Sequence, residues 1–251
     1  MGKIIILGTA AAIPTEGADN THLVILSKKR IILVDTATNP ILSLSKAGLD
    51  PNSITDLILT HFHPDHVSGL PILMITMWLT GRKETLDIYG LDSTLGRVWQ
   101  MLELFNISQW ANMFPINYHS AEQGDINTLF SDDGMTAIGA EVKHLIPTMG
   151  LRFEFNSSGK VIAYTCDSEP CDAIQRLAKG ADILLHESAG NSKGHSSALQ
   201  AGEDADLAGV RSLWLIHYPA GMDEWRMIEE AKTAFSGEVL IARDFMSIEI
   251  D

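Results

Sequence analysis

Three observations make this chain read as an α/β protein. Short runs of strand type, such as Ile4-Ile5-Ile6-Leu7 and Leu213-Trp214-Leu215-Ile216, alternate with segments whose apolar residues recur at helical spacing. Four of the runs lead into ligand-type side chains: 56–60 into His61, 161–164 into Asp167, 182–185 into His186-Glu187 and 213–216 into His217. Open α/β sheets place their ligands outside strand ends, so these residues are expected to converge on one rim. Finally, 251 residues at 45% hydrophobic can bury a large core, and α/β folds of this size often form one unit. Residues 1–251 are therefore read as a single domain.

Taken in order, strands are expected at 3–7, 22–26 and 31–34, then a helix over 40–48 and a strand at 56–60. The opening Met1-Gly2-Lys3 lacks the length and cleavage site of a secretory signal, and Ile6 is not the Ser or Thr of a myristoylation signal. Helical spacing rich in Met and Trp marks 70–78 and 95–105, read as core packing. The longest apolar stretch, Leu70 to Leu79 with Thr76 inside it, is about half of what a membrane span needs, so no membrane partner is expected. Further strands fall at 86–89, 137–142, 151–155, 161–165, 182–185, 213–216 and 238–242, and helices at 170–179, 197–209 and 223–235. Gly and Pro are spread among short connections, with no linker and no internal repeat.

Charged residues number 18 basic against 32 acidic, a formal net charge of -14 that repels polyanions at long range and favours solubility. The two cysteines, Cys166 and Cys171, fit neither a disulfide framework nor a paired zinc-knuckle spacing. They read as free thiols of a reducing compartment, and the protein as cytoplasmic.

The chemistry concentrates in His61-Phe62-His63-Pro64-Asp65-His66, three imidazoles and a carboxylate after a buried strand. Residues two apart in an extended segment point the same way, so His61 and His63 can grip one ion. Asp65 and His66, beyond a bend at which Pro64 is expected to hold the backbone out of helix, can face a second.

Around this cluster stand Leu7-Gly8-Thr9-Ala10, Pro14-Thr15, Asp35-Thr36-Ala37, Gly69-Leu70-Pro71, Asp87-Ile88-Tyr89-Gly90 and His144-Leu145-Ile146-Pro147 with Gly150. Tyr164-Thr165-Cys166-Asp167-Ser168, Leu185-His186-Glu187-Ser188, His195-Ser196-Ser197 and Leu215-Ile216-His217-Tyr218 follow. In that order they resemble the metallo-β-lactamase fold superfamily over nearly the whole chain, and the His-Glu-Ser and His-Ser-Ser elements point within it to the ribonuclease Z-like branch. The resemblance implies an αββα sandwich of four layers with two metal ions at the shared sheet edge. By position, His61, His63 and His144 would hold one ion, Asp65, His66 and His217 the other, and Asp167 would bridge them. Such an N/O donor set suits two divalent ions, zinc best, with manganese or iron as alternatives.

The reaction so implied is two-metal hydrolysis by activated water at a phosphorus or carbonyl centre, with Asp65 orienting the water or taking its proton. His195 falls where the branch has its general acid, just before the helix that Ser196 or Ser197 would cap. Glu187 is the candidate carboxylate beside it, and His186 a candidate for support behind a ligand. Two departures stand out. Cys166 and Ser168 flank Asp167 where the family has Gly and Thr, so the thiol is either an added ligand or an inert filler. Only 22 residues separate His144 from Asp167, room for a hairpin over 151–165 and not for the long basic arm of the tRNA-processing enzymes. With that arm missing and a -14 charge, the usual grip on folded RNA is lost. The expected activity is therefore a phosphodiesterase acting on small cyclic or linear phosphodiesters, such as a cyclic nucleotide, in a protein that the resemblance suggests is a homodimer. Transfer RNA 3′-end cleavage, ester or lactone hydrolysis, an iron redox role and a silent scaffold are the alternatives.

Overall fold

The computed structural model describes residues 2–124 and 126–250. One sheet contains β1 (Lys3–Gly8), β2 (His22–Leu26), β3 (Ile31–Val34), β4 (Asp56–Leu59), β5 (Leu86–Leu91) and β6 (Ile116–Ala121). The other contains β7 (Ile126–Ser131), β8 (Met135–Val142), β9 (Thr148–Phe155), β10 (Val161–Tyr164), β11 (Ile183–Glu187), β12 (Ser212–Ile216) and β13 (Glu238–Ile241). The last strand, β14 (Ser247–Glu249), returns to the first sheet, so the orders are β14-β1-β2-β3-β4-β5-β6 and β13-β12-β11-β10-β9-β8-β7. The helices are α1 (Pro40–Lys46), α2 (Pro64–Val67), α3 (Leu70–Leu79), α4 (Asp92–Glu103), α5 (Asp172–Ala178), α6 (Ala198–Ala208) and α7 (Glu224–Lys232).

The four layers follow from the side-chain period of two along buried strands. In β1, Ile4 and Ile6 join a core shared with Phe153, Tyr164 and Leu185 of the opposite sheet, while Ile5 and Leu7 join Leu73, Met77 and Val98 of α3 and α4. Leu184, Leu213 and Leu215 pack beneath Ala201 and Ala205 of α6 and Met227 of α7 on the other outer side. A sheet covered on both faces reads as a continuous apolar run, which is what residues 4–7 and 213–216 show. Each fully buried Ile or Leu contributes about 1.5–3 kcal/mol.

β3 to β6 run parallel, as do β10 to β13, whereas β14-β1-β2-β3 and β7-β8-β9-β10 are antiparallel. Parallel strands bring their C-terminal ends to one edge, and those ends carry the candidate ligands. The expected hairpin between His144 and Asp167 is β9 with β10, paired Leu151 to Tyr164.

The expected elements are present with ends shifted by no more than three residues. Three strands went unrecognised. β6 is exposed from Asn117 to Ser120, β7 alternates only partly, and β14 is three residues long; all three lie at sheet edges, where no apolar run is required. The bend at Pro64 also needs correction. His63 is extended at φ −96° and ψ 152°, as a residue before proline should be, but Pro64 then opens α2 at its first position. Its fixed φ and missing N–H are compatible with a first helical turn. Among the described residues, no helix is long and apolar enough to cross a membrane.

Candidate metal centre

Every expected ligand lies at the end of an element, and the seven come together. His61 and His63 follow β4, Asp65 and His66 sit in α2, His144 follows β8, Asp167 follows β10 and His217 follows β12. One group of mutually close donor atoms comprises His61, His63, His144 and Asp167; another comprises Asp65, His66, Asp167 and His217, each within 4.8 Å of one another. Asp167 belongs to both. Its Oδ2 is 3.2 Å from His217 Nε2, 3.8 Å from His61 Nε2 and 3.9 Å from His144 Nε2, while Oδ1 is 3.5 Å from His66 Nε2. His63 Nδ1 lies 3.0 Å from His61 Nε2 and 3.2 Å from His144 Nε2, and Asp65 Oδ2 is 3.6 Å from His66 Nε2.

Whether this set fits two cations can be judged from its buried polar atoms. His66 Nε2 and Asp167 Oδ1 are buried without a hydrogen-bond partner, an arrangement that is unfavourable unless something else satisfies them. Burial, then the neighbouring His66 imidazole, pushes His61 well below the ordinary imidazole pKa, and burial lowers His63 and His144. Neutral rings with convergent lone pairs are what a metal ion requires. Burial opposes charge on His66 and Asp167 alike. Asp167 and Asp35 nevertheless raise His66 well above the usual value, and His217 and His66 hold Asp167 well below the carboxylate range. The donors fit a pair of N/O-ligated divalent ions.

The far nitrogens of the rings are also held. His66 Nδ1 is 2.7 Å from Asp35 Oδ2, and Asp35 accepts from Thr60 N–H and Thr60 Oγ1, both at 2.8 Å. His61 Nδ1 lies 3.1 Å from Thr60 Oγ1, His217 Nδ1 3.2 Å from Thr21 Oγ1, and His144 Nδ1 2.6 Å from the carbonyl of Gly194. Such partners fix the tautomer and aim of a ligating imidazole. The roles of Asp35 and Thr21 escaped sequence reasoning. Asp35 carried the available signal, since it too ends an apolar strand. It adopts φ 62°, and Cys166 and His217 share left-handed φ of 53° and 51°, a strained backbone that clusters at functional sites.

His195, between Gly194 and the capping box of Ser197 and Gln200 on α6, lies beside the seven. Its Nδ1 is 3.0 Å from Glu187 Oε1; its ring is parallel to His217 at 5.9 Å and edge-on to His144 at 5.1 Å. Glu187 is fully buried and accepts from the backbone N–H of Ser168, Ser196 and Ala189 at 3.2, 3.0 and 2.7 Å. The hydrogen bond with Glu187 raises the pKa of His195. A concavity of about 260 Å³ reaches His195 past Lys193, Asn191 and Gln200, and a larger open groove of about 1120 Å³ beside α4 meets the centre only through Phe62.

The other candidates lie apart. His186 faces away from the seven, with Nδ1 2.6 Å from the Glu187 carbonyl and Nε2 3.3 Å from Asp204 of α6, so it braces β11 and supports no ligand directly. Cys166 Sγ is within reach of His61 and His66, but its nearest partner is His61 Nδ1 at 3.6 Å, the nitrogen turned from the cluster. Burial drives that thiol well above its usual pKa, which suits a filler better than a thiolate ligand.

Comparison with known proteins places the chain among relatives of similar length and fold. The profile of the family described as "Anti-Pycsar protein Apyc1" matches residues 2–239. Ribonuclease Z of Methanothermobacter thermautotrophicus is 25% identical over 305 residues, spanning 100% of this chain and 97% of its own. The metallo-β-lactamase fold protein YhfI from Bacillus subtilis superposes with a TM-score of 0.83 at 23% identity, covering 98% of each chain. The short form of human tRNase Z, ELAC1, superposes at 0.80 with 25% identity, covering 99% of each.

Proposed function

The chain belongs to the Apyc1 anti-Pycsar family, within the ribonuclease Z-like branch of the metallo-β-lactamase superfamily, and from that premise we propose that it is a dinuclear phosphodiesterase acting on small cyclic or linear phosphodiesters. It is a metal-dependent hydrolase; the substrate, the metal and the residue roles are our reading. His61, His63 and His144 would hold one ion, Asp65, His66 and His217 the second, and Asp167 both, with zinc the cation this donor set suits best. The chemistry such a pair supplies is Lewis acidity, which makes water nucleophilic near neutral pH and polarises phosphoryl oxygens.

The chain's own residues supply the rest. Asp65, at the mouth of the second group, orients the water and accepts its proton. His195 delivers a proton to the departing alkoxide, and Glu187 keeps its ring oriented and its pKa raised. The observation that carries a phosphodiester over a lactone is this imidazole–carboxylate pair beside both donor groups, because an alkoxide leaving from phosphorus gains most from protonation. The hairpin that stands between His144 and Asp167, in a chain of net charge -14, favours a compact substrate such as a cyclic nucleotide over a folded RNA. A homodimer is the assembly proposed, and sedimentation velocity reads that stoichiometry.

A screen of cyclic and linear phosphodiesters, esters and lactones with zinc-reconstituted protein tests the reading. Faster turnover of a diaryl phosphodiester than of a monoester or lactone is expected; equal or better lactone turnover would transfer the assignment to ester hydrolysis. Precursor tRNA cleavage is the second reading, favoured by full-length likeness to ribonuclease Z.

A further inference from the structure

Glu169 lies two residues past Asp167, and its carboxylate touches no candidate ligand. Its backbone N–H donates to the Lys143 carbonyl at 2.7 Å, in an isolated antiparallel bridge that ties the segment after β10 to the residue preceding His144. Its side chain reaches two ways: Oε2 is 2.6 Å from Lys143 Nζ, and Oε1 accepts the Gly194 N–H at 2.9 Å. Gly194 then matters twice, because the carbonyl of its next peptide unit accepts from His144 Nδ1 at 2.6 Å and that unit leads directly into His195.

Only glycine suits that position. Gly194 sits at φ +87°, and a Cβ there would come within 2.8 Å of Leu145 Cγ and 3.0 Å of His144 Nδ1. Lacking a side chain, Gly194 is steered from outside, and while Glu187 holds the following residues, Glu169 is the side chain that grips the Gly194 N–H. We propose that Glu169 is a positioning residue which, through Gly194, aims His144 at its metal ion and sets the approach of His195.

The relative weights of its two bonds follow from exposure. Lys143 has 63% of its side chain exposed and Glu169 24%, so solvent screens the ion pair. The hydrogen bond to Gly194 is the partly buried one, and it acts on a ligand: a donated Nδ1–H leaves the Nε2 lone pair free for the ion. Acceptor capacity at Glu169, more than its charge, should therefore be what matters.

The inference rests on His61, His63 and His144 holding one ion, and stepwise zinc affinity, read by competition with a chromophoric chelator, separates the two claims. Glu169→Ala is expected to weaken one of two zinc ions by about 10- to 100-fold and leave the other unchanged. Glu169→Gln, which still accepts from Gly194, should restore the affinity to within about fivefold, and Lys143→Met should change it by no more than that. In ¹⁵N spectra of the imidazoles, the His144 Nδ1 proton should shift in Glu169→Ala and stay in place in Glu169→Gln. Wild-type affinity for both ions in Glu169→Ala would overturn the inference alone, as would Glu169→Gln behaving like Glu169→Ala. Failure of the unaltered protein to bind zinc would overturn the dinuclear reading beneath it. Should Glu169→Ala not fold, Glu169→Asp keeps the charge but is one methylene too short to reach the Gly194 N–H; it should lose at least about tenfold, and wild-type affinity there would equally overturn the inference.

Discussion

His195 and His144 present edge-to-face rings 5.1 Å apart, yet the two histidines should respond to substitution in opposite ways. His144→Ala removes a donor and should lose metal and activity together. His195→Ala should keep both ions and slow the hydrolysis of poor leaving groups by about 10²- to 10⁴-fold, the usual size of a general-acid contribution. A nitrophenolate needs little protonation, so its loss should be much smaller. Metal analysis and a leaving-group series measure both effects; metal loss in His195→Ala would make that residue a ligand, and full activity on an alkyl diester would leave it no role. Because an acid must be protonated to act, turnover of poor leaving groups falls as pH rises through the pKa of His195. Glu187 raises that pKa, so Glu187→Gln should move the alkaline limb of the kcat profile to lower pH. These residues were legible in the sequence because His and Asp at strand ends declare their chemistry by type. Thr21 and Gly194 declare nothing alone; each acquires meaning only from a ring nitrogen 196 and 50 residues distant in the chain.

Elements explain why the seven donors meet. β3 and β4 are parallel neighbours, so the residues just beyond them, Asp35 and Thr60, emerge side by side, and Asp35 ties the end of one strand to the other and to His66 of α2. Asp35→Ala is therefore expected to act twice. The metal-free protein should lose about 1–3 kcal/mol of stability, since a buried Thr60 N–H is left unsatisfied. Affinity for the ion at His66 should fall about 10- to 100-fold as that ring loses its anchor. Urea denaturation of the apoprotein and zinc titration check the two effects separately, and wild-type behaviour in both would leave Asp35 as mere packing. Central strands were legible because burial on both faces forces an apolar run; the edge strands β6, β7 and β14 are under no such demand and left no pattern to read. The short α2 was hidden by Pro64, which as easily starts a helix as prevents one.

At the scale of the molecule, the layering of two sheets against one another cannot be read from periodicity, since a strand buried on both faces looks alike in any doubly covered sheet. It was the resemblance of ordered motifs that supplied it. The same scale governs metal loading. Five imidazoles and two carboxylates must be deprotonated together to hold two ions, so occupancy should fall steeply as pH drops toward about 5. Elemental analysis across a pH series checks it, and a chain that binds no zinc or manganese at neutral pH would not be the hydrolase described.

Charge then decides between substrates that share one centre. A precursor tRNA would meet a chain of net charge -14, and between His144 and Asp167 it would find the β9–β10 hairpin where the tRNA-processing enzymes carry a basic arm. Binding that depends on phosphate contacts must weaken further with every increase in salt, while a single small diester is held by the centre and a few neighbours at close range. With zinc-loaded protein, cleavage of a small cyclic or linear phosphodiester should therefore change little as salt rises. Precursor tRNA should be cut poorly even at low salt and less as salt is added. Competition between the two substrates in one reaction, followed by product analysis, gives the ratio directly. Preferential, salt-resistant cutting of the tRNA would mean that a grip unrelated to net charge exists on this surface, and would move the assignment to 3′-end processing.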